Sequence, residues 1–173
     1  MHGDEQAGIT GLREVLERTT AAAFAVSSAA AGRVFEDLAL GLARVLGTDA
    51  ALIAEFIDAD KVRMRSRALA LEGRLLAQFE YDVSQTPCRH IVGRESRFVS
   101  HGVHPEFAPG TLFAAKGFDS YAGYSILNAA GDQVGIIVAL DRKPIANQQL
   151  TEALLKIFAV RAAAELERRR AEA

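Results

Sequence analysis

SYAGYSILNAAGDQVGIIVALDRKP, residues 120–144, contains two apolar runs separated by a short polar cluster. This pattern is typical of a β-hairpin, and Asn128, Gly131 and Asp132 suit the positive-φ and side-chain-capped positions of its loop. The second run, 134–140, has no polar side chain, which predicts a strand in the middle of a sheet with both faces covered. Pro144 lacks a backbone N–H and therefore ends this run.

The composition predicts one soluble globular domain. The chain has 173 residues, of which 50% are hydrophobic and 24% are charged. The 20 basic residues are balanced by 22 acidic ones, so the chain has no basic surplus of the kind that binds nucleic acid. No signal peptide and no membrane-length apolar run are recognisable. We expect a cytoplasmic protein that binds neither nucleic acid nor membrane.

Two helices are predicted ahead of the sheet and one after it. Apolar residues recur at helical spacing over residues 9–31 and again over 35–46. The closing helix is predicted over about 147–170, and its apolar stripe includes Leu154 and Ile157. We expect an N-terminal helix or extension over residues 1–32 and a single domain over 33–173.

Two strands are predicted in the N-terminal half, over residues 50–58 and 62–71. Arg63, Arg65 and Arg67 share one face of the second strand. Such a row indicates either an anion site or a solvated edge strand that charge protects from aggregation. Because no neighbouring stretch is Gly-rich or otherwise shaped for phosphate, the edge strand is the favoured interpretation.

The segment between these strands and the hairpin combines short elements with a long connection. Thr86-Pro87 has the N-cap and first-turn residues of a short helix. The connection over residues 101–117 is long for a compact domain, and such connections usually carry helical turns or line a site. One turn is expected over residues 111–116, with Gly117 at its end.

Four stretches resemble the GAF domains of bacterial sensor proteins. They are FEYDVSQTPC (79–88), SYAG (120–123), GDQVGIIVALD (131–141) and RAAAELER (161–168). The resemblance covers roughly residues 35–168. The chain departs from the family pattern at Ser84-Gln85, where many members have a glycine, and at Tyr124-Ser125, where many have Val-Pro.

The resemblance implies an α+β, PAS-like fold and a regulatory role. Its central antiparallel sheet of five or six strands would carry the N- and C-terminal helices on one face, with short helices and loops over the other. We expect a non-enzymatic sensory domain that forms a homodimer through its terminal helices. The chain has no recognisable output motif, so a separate kinase, cyclase or transcriptional protein, or the rest of a longer receptor, is expected to supply the output.

The resemblance also implies a ligand pocket on the sheet face opposite the terminal helices. The Thr86-Pro87 helix and the loop at 101–117 would cap it, and no motif identifies a cofactor. The residues expected to surround a small, partly apolar ligand are Phe79, Tyr81, Cys88, Ile91, Phe98, Phe113, Tyr121 and Ser125.

Cys88 is the chain's one cysteine, which excludes an internal disulfide. A helix N-terminus can activate a thiol, but bilin-binding relatives often have a histidine directly after the pocket cysteine, whereas Arg89 intervenes before His90 here. A buried wall residue is therefore the favoured interpretation. Two alternatives to ligand sensing remain open: a dimerisation scaffold whose pocket its own side chains fill, and a haem, metal or redox sensor that uses Cys88 with His90, His101 and His104.

Overall fold

The computed structural model describes residues 2–173. Its helices are α1 (His2–Ser27), α2 (Val34–Leu46), α3 (Leu112–Lys116) and α4 (Gln148–Glu172). Its strands are β1 (Ala50–Phe56), β2 (Arg63–Leu71), β3 (Arg74–Leu75), β4 (Glu80–Asp82), β5 (Ser96–Val99), β6 (Ser120–Leu127) and β7 (Gln133–Asp141). Short 3₁₀ turns lie at Val83–Gln85, Pro87–His90 and His104–Glu106.

The predicted hairpin lies at the centre of one antiparallel sheet. Strands β6 and β7 pair with each other, and every residue of β7 is buried because β1 covers its other edge and side chains pack on both faces. The strand order is β3-β2-β1-β7-β6-β5, and β4 also pairs with β2. The predicted α+β architecture is confirmed. The sheet has seven strands rather than five or six, because residues 74–82 contribute the short strands β3 and β4.

The two faces of the sheet carry different layers. Helices α1, α2 and α4 cover one face, where alternate strand residues such as Ile53, Ala122 and Ile137 join the helical side chains in a core. The other face is covered by the loops and short turns between β4 and β6, and its core contains Leu52, Tyr121 and Val138. We call these the helix face and the loop face.

The prediction that β2 is an edge strand is wrong. It pairs with β1 on one side and with β3 and β4 on the other. Its pairing with β1 also contains a β-bulge: Ile53 pairs with Ala68 and Ala54 with Ser66, so Arg67 has no partner residue in the register. The row of arginines therefore lies inside the sheet, where protection of an exposed edge does not explain it.

The apolar stripe of α4 is buried in the domain, whereas that of α1 is mostly exposed. In α4, Leu154 is fully buried and Ile157 packs partly against the same core, so the sheet and α2 already use this stripe. In α1, the buried residues are Ala22 and Ala25, near its C-terminal end. The first three turns of α1, residues 2–13, are exposed throughout, whereas Glu14 and Arg18 lie beside the end of α2. Within residues 2–173, no helix has the length and apolar character needed to cross a bilayer.

Candidate functional site

The segment that follows Thr86 begins as its sequence predicts but forms a 3₁₀ turn instead of an α-helix. The Thr86 hydroxyl accepts a hydrogen bond from the Cys88 N–H at 3.2 Å, and Pro87 follows the cap. The turn places Cys88 and Ile91 against the loop face of the sheet, where both are buried. The Tyr121 hydroxyl donates to Cys88 Sγ at 3.3 Å. These three side chains fill the space between the central hairpin and the turn.

This packing determines the chemistry of Cys88. Burial raises the pKa of the thiol above its ordinary value, although hydrogen bonds from Tyr121 and Thr86 oppose the rise. Burial likewise raises the pKa of Tyr121 well above its ordinary value. Because the thiolate is the nucleophilic form of cysteine, a buried neutral thiol is inert. A turn of four residues also lacks the aligned peptide dipoles by which a long helix stabilises a thiolate.

We therefore expect Cys88 to be protected from thiol reagents. Its reaction with DTNB should be about a hundredfold or more slower in the native protein than in urea, because reaction requires local opening of the loop. The Cys88→Ser/Ser84→Cys variant is the control, since it moves the single thiol to an exposed position nearby. A native Cys88 that reacts as fast as this control would contradict the inert, buried assignment.

An aromatic cluster lies beside this filled interior. Phe79, Tyr81 and Phe113 pack with each pair of ring centroids 5.7 Å apart, and the ring of Phe107 stacks on Phe113 at 5.8 Å. Tyr81 and Phe113 are buried, whereas Phe79 is partly exposed. Phe113 is placed by α3, which Thr111 caps at its N-terminus and which ends, as the sequence predicts, at Gly117 with φ 74°.

The cluster forms one wall of an open cleft of about 280 Å³. We call it the aromatic cleft; it is lined by Phe79, Glu80, Tyr81, Gln85, Thr86 and residues 109–113. The backbone N–H of Ala108 donates to the Gln85 carbonyl at 2.9 Å, which joins the two sides of the cleft. The cleft combines apolar rings with the polar groups of Gln85, Thr86 and Thr111, which is the composition of a small-molecule site.

Two of the eight predicted site residues lie apart from the other six: Phe98 is on the helix face, and Ser125 is on the loop face but away from the aromatic cleft. Phe98 packs against the core of the helix face, while its neighbour Val99 packs on the loop face, because successive residues of β5 point to opposite sides. Ser125 donates to the Arg94 carbonyl and accepts from Gln133 Nε2 at 2.7 Å. The other six predicted residues meet on the loop face: Phe79, Tyr81 and Phe113 at the cleft, and Cys88, Ile91 and Tyr121 beneath the loop.

The structure identifies two groups of residues that hold the loop and that the sequence analysis missed. Gln133 donates to the Ile91 carbonyl at 2.9 Å and accepts from Gly93 N–H at 3.0 Å. Arg97 donates two hydrogen bonds to the Glu106 carboxylate, at 2.7 and 2.9 Å. This ion pair holds the pKa of Glu106 below its ordinary value. No local pattern marks these residues, because each pair is separated widely in sequence.

The histidines do not converge on Cys88. His90 is exposed and places Nε2 3.4 Å from Glu106, while His101 Nδ1 shares a hydrogen bond with Ser100 at 2.8 Å. Desolvation and the neighbouring arginines lower the pKa of His90. Across residues 2–173, no group of three or more His, Cys, Asp or Glu side chains is arranged to hold a metal ion. Cys88 and the three histidines are therefore not brought together as a shared metal site in the described residues.

One protein-family model matches the sequence. The family model of the GAF domain matches residues 30–166, which is most of the chain. No curated protein sequence matches the chain.

Solved structures share the fold at low sequence identity. The GAF domain from Acinetobacter phosphoenolpyruvate-protein phosphotransferase is 13% identical with a TM-score of 0.67, and the match covers 91% of this chain and 95% of that one. The chromophore-binding domain of the Stigmatella aurantiaca bacteriophytochrome in the Pr state is 14% identical with a TM-score of 0.64.

The match to the bacteriophytochrome covers 88% of this chain and 60% of that one. The wild-type chromophore-binding domain of Stigmatella aurantiaca phytochrome P1 is also similar, at 12% identity and a TM-score of 0.64, with 88% and 59% of the two chains covered. This chain thus spans about three-fifths of the phytochrome chains that it matches. The family match over residues 30–166 and these shared folds show that the chain belongs to the GAF domain family.

Proposed function

We propose that this protein is a non-enzymatic sensory domain of cytoplasmic signal transduction, which binds a small ligand in the aromatic cleft and transmits its state through the terminal helices of a homodimer. A sensory or regulatory role is typical of the GAF fold. The aromatic cleft carries the ligand part of the proposal, because it joins three aromatic rings to a loop that the fold places on the face opposite the helices.

The side chains and the volume of the aromatic cleft indicate which class of ligand it would bind. The rings of Phe79, Tyr81 and Phe113 offer edges and faces for a flat, partly apolar molecule. The hydroxyls of Thr86 and Thr111 already serve as caps to backbone N–H groups, but each retains further hydrogen-bonding capacity. A volume of about 280 Å³ suits a metabolite and is too small for a tetrapyrrole.

The dimer part of the proposal depends on α1. Ile9, Leu12 and Leu16 are 47%, 73% and 68% exposed, and with Thr19 and Ala23 they repeat at the alternating spacing of three and four residues that forms a coiled-coil seam. A helix that extends from a domain is marginal in water without packing. A second copy of this chain presents the same seam, so a symmetric pair of α1 helices covers both.

A dimerisation scaffold without a ligand is the second candidate, and the filled interior favours it. Tyr121, Cys88 and Ile91 occupy the space beneath the loop, and a Cβ added at Gly123 would lie 2.7 Å from Ile91 and 2.8 Å from the Tyr121 hydroxyl. Both candidate functions include the same homodimer. They differ only in whether the aromatic cleft binds a ligand. In either case a separate kinase, cyclase or transcriptional protein would provide the output.

Thermal shift against a metabolite panel tests the sensor. A ligand present at 100 times its Kd stabilises a protein by about 2.7 kcal/mol, which raises the Tm of a domain of this size by roughly 5–11 °C. We expect Phe79→Ala, at the partly exposed rim of the cleft, to remove the shift. Leu127→Ala, an exposed apolar position away from the cleft, should retain it. A shift that survives Phe79→Ala would show that the ligand binds outside the aromatic cleft, and no shift across the panel would favour the scaffold.

A further inference from the structure

A second cleft, of about 270 Å³, lies where β1 and β2 meet the last turns of α4. Four guanidinium groups line it, those of Arg65, Arg67, Arg169 and Arg170, together with the carboxylate of Glu55. We call it the arginine cleft. It is on the helix face of the sheet and so is separate from the aromatic cleft.

The β-bulge in β2 explains how strand arginines reach this cleft. In a regular strand, side chains alternate between faces. The bulge inserts Arg67 without a partner, so that Arg65, Arg67 and Ala68 all lie toward the helix face. Bulges commonly re-aim a side chain beside a functional site. The row of arginines in the sequence thus meets the arginines at the end of α4.

The ion pairs around the cleft leave a positive excess. Two arginines pair with Glu80, two with Glu55 and three with Glu165. One of the three arginines at Glu165 also pairs with Glu172. Seven guanidinium groups of the described residues therefore pair with four carboxylates, a local excess of three positive charges on a chain whose formal net charge is -2. The arginines are Arg63, Arg65, Arg67, Arg161, Arg168, Arg169 and Arg170.

One donor at the cleft is buried without a partner. Arg67 donates through Nη2 to Glu55 Oε1, whereas its Nε is buried and has no hydrogen-bond partner among the described residues. A buried donor that lacks a partner is costly. Arginine presents Nε and Nη in a fork that matches the oxygens of a phosphate or carboxylate. Because this Nε is buried, an oxyanion in the cleft would balance the excess charge through the more exposed Nη groups of the arginines.

We propose that the arginine cleft binds a small oxyanion with two or more negative charges, either a phosphate monoester or a di- or tricarboxylate. The volume of about 270 Å³ admits a molecule of this size, and Ile57 and Leu166 provide apolar contacts for its carbon skeleton. Because Arg67 belongs to the sheet and Arg170 to the last turn of α4, the bound anion bridges the two elements. It thereby fastens the end of the closing helix to the sheet.

NMR titration of the ¹⁵N-labelled protein tests this proposal. The probes are inorganic phosphate, glycerol 3-phosphate and citrate, each added at constant ionic strength against sodium chloride. We expect at least one of them to give saturable shifts of the Arg67 Nε–H and Arg170 backbone resonances, and the pattern across the three separates phosphate from carboxylate recognition. Shifts that never saturate, or that sodium chloride reproduces, would overturn the proposal.

Matched variants show where the anion binds. Arg65→Gln and Arg170→Gln should each weaken binding about tenfold or more, which is the order of effect of one charge-assisted hydrogen bond. Arg63→Gln is the control, because Arg63 is two residues from Arg65 and shares its partner Glu80 but does not line the cleft. All three arginines are substantially exposed, so the variants should fold. If Arg63→Gln weakens anion binding equally, or if the other two variants leave the affinity unchanged, the anion does not bind in the arginine cleft.

Discussion

Replacing Leu12 and Leu16 with glutamate is expected to convert a homodimer of this protein into monomers. Each leucine that the seam buries contributes roughly 1.5–3 kcal/mol, and a symmetric pair of α1 helices buries four of them. The dimer dissociation constant should therefore rise about a thousandfold or more. Sedimentation velocity over a concentration series measures this change directly.

Thr10→Glu/Ala21→Glu is the charge-matched control for this prediction. Both positions are on α1 and exposed, but they lie on the side of the helix opposite Leu12 and Leu16. This variant should remain dimeric. If the unmodified protein is monomeric at high concentration, or if both double variants dissociate alike, the α1 seam is not the dimer interface.

Replacing Gly135 with alanine is expected to be the most destabilising single methyl addition in the sheet. A Cβ at this position would clash with the carbonyl oxygen of Ala54 in the neighbouring strand β1, and would also lie 3.3 Å from the Ala54 carbonyl carbon and Glu55 Cα. These are backbone atoms of a central strand, so they cannot move aside as a flexible side chain would. Overpacking of this kind should cost about 3 kcal/mol or more.

The measurement for this variant is the thermal unfolding midpoint. A loss of about 3 kcal/mol corresponds to a fall in Tm of roughly 6–12 °C for a domain of this size. Gly11→Ala is the control, since a Cβ there meets nothing within 4 Å and alanine favours the helix. Its Tm should be unchanged or slightly higher. Equal midpoints for the two variants would show that β1 and β7 adapt to the methyl group.

Local patterns were sufficient for most of the fold. The apolar run of β7, the cap at Thr86 and the stop at Gly117 depend on residues within a few positions of one another, and the structure has all of them. Two-sided burial of one strand also implies layers on both faces, and the resemblance to the GAF family supplied the α+β architecture. The short strand β3 was not predicted, because two residues carry no usable periodicity.

The candidate site could be predicted only in part. Alternation in a strand separates its residues into two sets, but it does not say which set faces which layer. Phe98 accordingly lies on the helix face and not on the predicted loop face, whereas Tyr121 lies on the loop face. Ser125 lies on the loop side of β6, yet its hydroxyl is engaged by the Arg94 carbonyl, 31 residues away in sequence, and by Gln133 on the other strand of the hairpin. Polar partners of this kind have no local signature.

The sequence by itself determined the hairpin, the terminal helices and the family, because these depend on short-range periodicity and on motifs read in order. Only the tertiary structure decided what covers each stripe. It buried Leu154 against the sheet and left Leu12 exposed, although both lie on apolar helical stripes. It also brought Arg67 of β2 to Arg170 of α4. A stripe of apolar or charged side chains indicates that another surface must cover it. Which surface does so depends on how the whole chain packs.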